Sequence, residues 1–411
     1  MKKQRILLLI ILMLSLIRIP VSAASLSDAF SLDPESLIPE EFTISDLHDL
    51  DMEELLSQIP FSDITIGPLL VPADSSRRSD LLALQLLGLC SGHTKDNTRL
   101  LFDSAGLEIL DQVHYDKDRN DSSHTSAFTI GAGSVLRGFA VKKALVIAVR
   151  GTDGGEWYSN FDIVPSRKEE ALFAENFLLC AEEIFLELMP WLEQETEDPE
   201  DPPLIIICGH SRGAACANLL GLLINAYQSP EQVYVYTFAS PATIRRDTPI
   251  DADENIFNYI NPCDIVPEVP FCSWNFTRAG TDILLSVKDP KLQEVITEDL
   301  EQLISMAPSV TDYYHSRLSL TSEGIDPETG LTPYEGMLLL VNEALDDTNT
   351  GLKDAQDLFS TDTISEDSPW RPMIRILEDL KDDDGALAVR LLNQHLPTTY
   401  LKLINELLTG E

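Results

Sequence analysis

Two kinds of hydrophobic pattern alternate along the middle of the chain. Short segments rich in apolar and β-branched residues stand at 127–130, 144–149, 204–208, 233–238 and 256–260. Such segments are typical of strands, and continuously apolar ones of strands covered on both faces. Between them, helical spacing puts apolar residues on one face, namely Phe173, Phe177, Cys180, Ile184 and Leu188. Pro190 is expected to end that helix, and residues 214–226 form another. The alternation predicts an α/β fold with a mostly parallel sheet flanked by helices.

The composition divides the chain into segments around this core. Residues 24–119 are acidic and are expected to be mostly helical, and the α/β core is expected at 120–284. Residues 285–390 carry helical and acidic sequence that predicts an insertion or cap. Residues 391–411 form a C-terminal segment.

The first 23 residues have the pattern of a secretory signal peptide. Lys2, Lys3 and Arg5 precede an apolar run at 6–17, and small residues follow at 21–23. The run is shorter than the roughly 18 residues of a spanning helix. We therefore expect cleavage near Ala23 and a secreted protein; a retained membrane anchor is the alternative.

The charge excludes several classes of protein. The chain has 29 Lys and Arg against 68 Asp and Glu, and loss of residues 1–23 leaves 25 against 68, a net charge of −43. Nucleic-acid binding needs clustered basic residues, so it is not expected.

Six cysteines are too few for a disulfide scaffold in 411 residues. Cys208 and Cys216 are expected to be buried thiols. The spacing of Cys263 and Cys272 allows a disulfide between them. No metal or cofactor motif is present in the sequence.

The sequence Gly-His-Ser-Arg-Gly at 209–213 is the strongest chemical signal. It follows a buried strand and opens a helix, which is the context of a nucleophile elbow that exposes Ser211 at the carboxyl edge of the sheet. Glycines flank the serine because side chains there would collide with neighbouring backbone. The helix N-terminus favours a developing oxyanion, for which the backbone N–H of Arg212 is one expected donor.

Several linked motifs carry a family resemblance. GHSRGAACANLL follows LIIIC, VRGT and EWYSNF precede it at 149–152 and 156–161, and YTFASPA and IFNYINPCDIVPEVPF follow at 236–242 and 256–271. In this order they resemble the class 3 lipase family, especially its secreted bacterial branch, over about residues 120–285 and again near 395. The resemblance implies an α/β-hydrolase fold and hydrolysis of carboxylic esters through Ser, Asp and His. It also implies that Thr152 supplies the second oxyanion donor.

A serine nucleophile needs a base and an orienting acid, in the chain order Ser, Asp or Glu, His. Asp264 follows the segment 256–260, where a loop at a strand's carboxyl end is expected, and Glu268 is the alternative. Only His315 and His395 lie after Asp264. His395, with a tyrosine five places on, resembles the closing segment of the family and is the preferred base, and His315 is the alternative.

Two residues beside the serine, His210 and Arg212, have expected orientations. The side chain of His210 is expected to point away across the turn. Arg212 stands where fungal members of the family have an aliphatic residue. Its guanidinium is expected to pair with a carboxylate, or alternatively to contact an anionic group of the substrate.

Three functions fit these observations. The leading hypothesis is an exported carboxylester hydrolase, a lipase or esterase that works without a cofactor on ester or lipid substrates. The second is an acyltransferase with the same triad. The third is a non-catalytic surface or binding protein on a hydrolase scaffold, against which the complete set of Ser, Asp and His argues.

The acidic charge generates a prediction about lipid surfaces. A mature charge of −43 repels anionic bilayers over a Debye length of about 8 Å at physiological salt. We expect hydrolysis on vesicles to slow as the anionic lipid fraction rises and added salt to restore part of the rate. Faster hydrolysis on anionic vesicles at low salt would contradict this and would indicate a local basic docking patch.

Overall fold

A computed structural model describes residues 64–74, 76–115, 125–151, 175–195, 202–245, 248–250, 253–264, 266–268, 276–288, 290 and 393–410. Among these residues, no helix is long and apolar enough to cross a membrane. The expected signal peptide at 1–23, most of the expected cap at 285–390, and the residues Thr152, Cys272 and His315 lie outside the described residues.

The described part of the chain is built around an eight-stranded sheet. Its strands are β1 (Leu70–Val71), β2 (Leu107–Val113), β3 (Phe128–Arg137), β4 (Ala140–Val149), β5 (Leu204–His210), β6 (Val233–Phe238), β8 (Ile256–Ile260) and β10 (Thr281–Leu284). The short strands β7 (Ile244–Arg245) and β9 (Phe276–Thr277) pair separately, in antiparallel fashion. The order across the sheet is β1, β3, β4, β5, β6, β8, β10, with β2 also on β3. From β4 to β10 all pairs are parallel, whereas β3 is antiparallel to β4 and β2.

Helices cover both faces of this sheet. They are α1 (Asp80–Cys90), α2 (Lys95–Ser104), α3 (Glu175–Glu195), α4 (Arg212–Tyr227) and α5 (Pro397–Thr409). Apolar side chains of α1, α2 and α5 belong to one buried cluster, and those of α3 and α4 to the other. The predicted α/β fold, a mostly parallel sheet flanked by helices, is confirmed.

Strand β5 lies at the centre of both cores. Leu204, Ile206 and Cys208 face the layer of α1 and α5, and Ile205 and Ile207 face the layer of α3 and α4. All are buried, because side chains alternate between the two faces of a strand and both faces are covered. The continuous apolar run read from the sequence is the direct consequence of this position.

The N-terminal segment 24–119, expected to be mostly helical, also contributes strands β1 and β2, which both pair with β3. One expectation about the helices is corrected. Helix α3 does not end at Pro190 but continues to Glu195. A proline removes the helical bond to the carbonyl four residues earlier, here that of Leu186, whose side chain is 69% exposed. Water can hydrate the helix there, and Leu192 beyond the proline is buried in the core.

The junction of α4 with the sheet gives a stability prediction. A Cβ on Gly213 would lie closer than 3.0 Å to the backbone carbonyl oxygens of Val149 and Arg150. These atoms cannot shift without disturbing the β4–β5 pairing. We expect Gly213→Ala to lower the free energy of unfolding by about 1–3 kcal/mol in urea denaturation.

Gly221→Ala on the same helix is the matched control, since a Cβ there meets the side chains of Val235 and Ile256. Side chains can move, so its loss should be smaller. Equal stability of Gly213→Ala and the unsubstituted protein would contradict the close approach.

Candidate active site

Ser211 lies in a sharp turn between β5 and α4. Its backbone has φ 56° and ψ −126°, a region that costs a non-glycine residue roughly 1–3 kcal/mol. The turn is held because Ser211 N donates to the Phe238 carbonyl at 2.9 Å and the Ser211 carbonyl accepts from Ala214 N and Ala215 N. A Cβ on Gly209 would collide with the backbone of Gly213. The elbow predicted from the sequence is therefore present as a strained strand-to-helix turn.

The structure brings Ser211, His395 and Asp264 together. His395 Nε2 lies 2.8 Å from Ser211 Oγ, and His395 Nδ1 lies 2.8 Å from Asp264 Oδ2. Exposure is 5% for Ser211 and His395 and 1% for Asp264. A carboxylate only accepts, so Nδ1 carries the proton and Nε2 is left to accept from the serine hydroxyl. This is the arrangement that activates a serine nucleophile.

Asp264 is fixed by the turn that follows β8. Its backbone N–H donates to the Asn261 carbonyl at 3.0 Å, and its Oδ1 accepts from Val266 N at 3.0 Å. The second oxygen, Oδ2, is thereby left to face His395. Of the two acids that the sequence offers, Asp264 and Glu268, Asp264 makes the contact with His395.

Comparison with known sequences identifies the middle of the chain. Residues 146–274 match the family described as Lipase (class 3). These residues belong to the class 3 lipase family. The match includes Ser211 and Asp264, and it agrees with an α/β-hydrolase fold and with hydrolysis of carboxylic esters. A search of curated proteins gave no significant match.

A search of solved structures matched several fungal lipases. The native Rhizomucor miehei lipase propeptide complex is 19% identical, over 51% of this chain and 68% of that one, with a TM-score of 0.39. The lipase from Rhizopus microsporus var. chinensis is 18% identical over 54% and 78%, with a TM-score of 0.40. Lipase II from Rhizopus niveus is 18% identical over 50% and 80%, with a TM-score of 0.37.

The C-terminal segment of the chain is held to the Asp264 turn by hydrogen bonds. Tyr400, in the first turn of α5, donates its hydroxyl to Asp264 Oδ2 at 2.8 Å and accepts from Asn261 N at 3.2 Å. Burial, and then the charge of Asp264, raise the pKa of Tyr400, so the hydroxyl keeps its proton. Asn261 Nδ2 also donates to the carbonyl and to the side-chain oxygen of Gln394 at 2.9 Å. These bonds set His395 opposite the serine.

The expected oxyanion donors are only partly described. Arg212 is the first residue of α4, so its backbone N–H lies at the N-terminal end of the helix. Thr152 lies outside the described residues, but Gly151 before it does not. A Cβ on Gly151 would lie 3.8 Å from Ser211 Cβ, so the end of β4 runs beside the elbow.

The side chain of Arg212 points into the protein. Its Nε donates to Ser126 Oγ at 3.2 Å, and its guanidinium lies 5.6 Å from the ring centroid of Phe177 on α3. The side chain is among the largest that are fully buried. These contacts do not favour the alternative in which the guanidinium binds an anionic group of the substrate.

His210 is oriented differently from the expectation. Its ring does not point away from the site: Nε2 lies 2.9 Å from the His395 carbonyl oxygen, and the two ring centroids are 5.1 Å apart. The alternation of β5 explains this, because Cys208 and His210 share the face that α5 covers. The alternation was readable in the sequence, but the position of α5 was not.

The tyrosine on the acid gives a prediction for this site. Tyr400→Phe removes the hydroxyl from Asp264 Oδ2 and leaves the buried Asn261 N–H without its acceptor. Loss of a buried hydrogen bond to a charged group costs about 1–3 kcal/mol. We expect a lower midpoint in urea denaturation and a lower kcat on a soluble ester.

Tyr227→Phe is the control, since Tyr227 is 48% exposed on α4 and lies outside the site. An unchanged kcat and midpoint in Tyr400→Phe would show that the hydroxyl contributes nothing to holding the acid.

Proposed function

We propose that the chain is an exported serine carboxylester hydrolase, a lipase or esterase, that cleaves acyl esters through Ser211, His395 and Asp264 and a covalent acyl-enzyme. The observation that carries the proposal is the continuous chain of two 2.8 Å hydrogen bonds that ends at the oxygen of a strained, strand-end serine. Export rests on the signal-peptide pattern of residues 1–23.

In the acylation half of this mechanism, Ser211 Oγ attacks the ester carbonyl carbon and its proton passes to His395 Nε2. The carbonyl oxygen becomes an oxyanion, held by the backbone N–H groups of Thr152 and Arg212. Asp264 Oδ2 accepts from Nδ1–H and stabilises the imidazolium. The imidazolium then gives its proton to the leaving alkoxide, which departs as an alcohol and leaves the acyl group on Oγ.

In the deacylation half, water replaces the alcohol. His395 Nε2 takes a proton from the water as its oxygen attacks the acyl carbon, and the same oxyanion donors act again. Collapse of the intermediate expels Ser211 Oγ, which recovers its proton from His395. The products are a carboxylic acid and the free enzyme, so no cofactor is required.

The substrate class follows from the family and the charge. The class 3 lipase match supports an ester or lipid substrate. The acidic chain favours neutral lipids, zwitterionic surfaces or dispersed short-chain esters over anionic membranes. An acyltransferase with the same three residues is distinguished by partition of the acyl group to added alcohols instead of water.

The test combines covalent labelling with substitution. We expect a fluorophosphonate probe to modify the protein at Ser211 and Ser211→Ala to abolish labelling. His395→Ala should lower kcat/KM on short-chain esters by about 10³-fold or more, because the nucleophile loses its base. A panel of esters of increasing acyl length then separates esterase from lipase preference.

His315→Ala is the matched control and should retain most of the activity. If His315→Ala were inactive and His395→Ala active, the base would be reassigned to His315. A protein that neither reacts with the probe nor hydrolyses any ester would support the binding-protein alternative.

A further inference from the structure

His210, the residue directly before the serine, has a buried ring within the proposed catalytic site. It is the last residue of β5 and is 5% exposed. Its ring centroid lies 5.1 Å from that of His395 and 5.9 Å from that of Tyr400, the latter edge-on. A polar ring at this depth normally has a hydrogen-bond partner, and the identity of that partner indicates what the residue does.

The partner is the main chain of the proposed base. His210 Nε2 lies 2.9 Å from the carbonyl oxygen of His395. A carbonyl only accepts, so Nε2 carries the proton and donates it. Burial, and then the nearby His395 and His93, lower the pKa of His210 well below its ordinary value. The ring is therefore a neutral donor with a fixed tautomer.

Two consecutive carbonyls of the C-terminal segment are held in this way. The carbonyl of Gln394 accepts from Asn261 Nδ2 at 2.9 Å, and the carbonyl of His395 accepts from His210. The two donors come from different strand ends, one after β8 and one at the end of β5. The segment is thus fastened on the acid side by Asn261 and on the nucleophile side by His210.

We infer that His210 is a positioning residue for the proposed base, and that its bond to the His395 carbonyl sets the distance from His395 Nε2 to Ser211 Oγ. The inference rests on the proposed function of Ser211, His395 and Asp264. The nucleophile and the donor are adjacent in the chain, so the elbow that places Oγ also places Nε2 of His210. The same backbone turn therefore positions both the Ser211 hydroxyl and the His210 donor that holds His395.

A matched pair of amides tests this role. His210→Gln retains an N–H donor on a side chain long enough to reach the His395 carbonyl, whereas His210→Asn carries the same amide one methylene shorter. Fluorophosphonate labelling to completion counts competent serines, so that kcat can be expressed per labelled site. Misplacement of a catalytic group by about 1 Å costs on the order of 100-fold in rate.

We expect His210→Asn to lower kcat per labelled site on a soluble short-chain ester by about 10- to 100-fold with KM within about twofold. His210→Gln should recover most of the rate. His114→Asn is the control, because His114 contacts Glu183 at 2.6 Å on α3 and has φ 64°, which asparagine tolerates. Its kcat should stay within about twofold of the unsubstituted protein.

Equal kcat per labelled site in the Asn and Gln variants would overturn the positioning role. The positioning role would also be overturned if His210→Asn lowered the melting temperature while each labelled site turned over at the normal rate. An unsubstituted protein that neither hydrolyses esters nor reacts with the probe would instead overturn the proposed function, and this inference with it.

Discussion

The backbone conformation of Ser211 is the constraint on which the site depends. A non-glycine residue at φ 56° and ψ −126° persists only where the surrounding structure over-determines it. Here β5 is buried on both faces and α4 packs directly behind the sheet, with Gly209 and Gly213 allowing the backbones to approach. The free energy of core packing thus offsets the strain. The result is a hydroxyl at the carboxyl edge of the sheet, next to the end of β4.

The base reaches this edge through the hydrophobic core. His395 lies 184 residues after Ser211 in sequence, and directly after it come Leu396, Tyr400 and Leu401, which are buried in the same cluster as α1. Helix α5 is therefore at once a part of the core and the support of the base. The packing of α5 and the hydrogen bonds from Asn261 and His210 all hold the short segment around His395. Stability of that helix and geometry of the site are consequently coupled.

The sequence was informative wherever a local pattern determines a local structure. The buried strands and the elbow at Gly209–Gly213 follow from apolar runs and glycine spacing. Motif order singled out Asp264 and His395, whose side chains lie in hydrogen-bond contact. Long-range pairing was not readable: β1 and β2 join β3 although their segment reads as helical. The helix continues past Pro190 because tertiary burial of Leu192 outweighs one lost helical bond. The orientation of His210 depended on α5, which only the folded chain brings to β5.

The polar groups around His395 share an electrostatic property. His210 is neutral because burial lowers its pKa. Tyr400 keeps its proton, so it faces Asp264 as an uncharged donor. In the proposed mechanism His395 becomes cationic, and a second positive charge at roughly 5 Å would oppose it by about 3 kcal/mol at an effective dielectric constant of 20. Burial thus lets these groups supply hydrogen bonds while Asp264 remains the charge that the imidazolium meets.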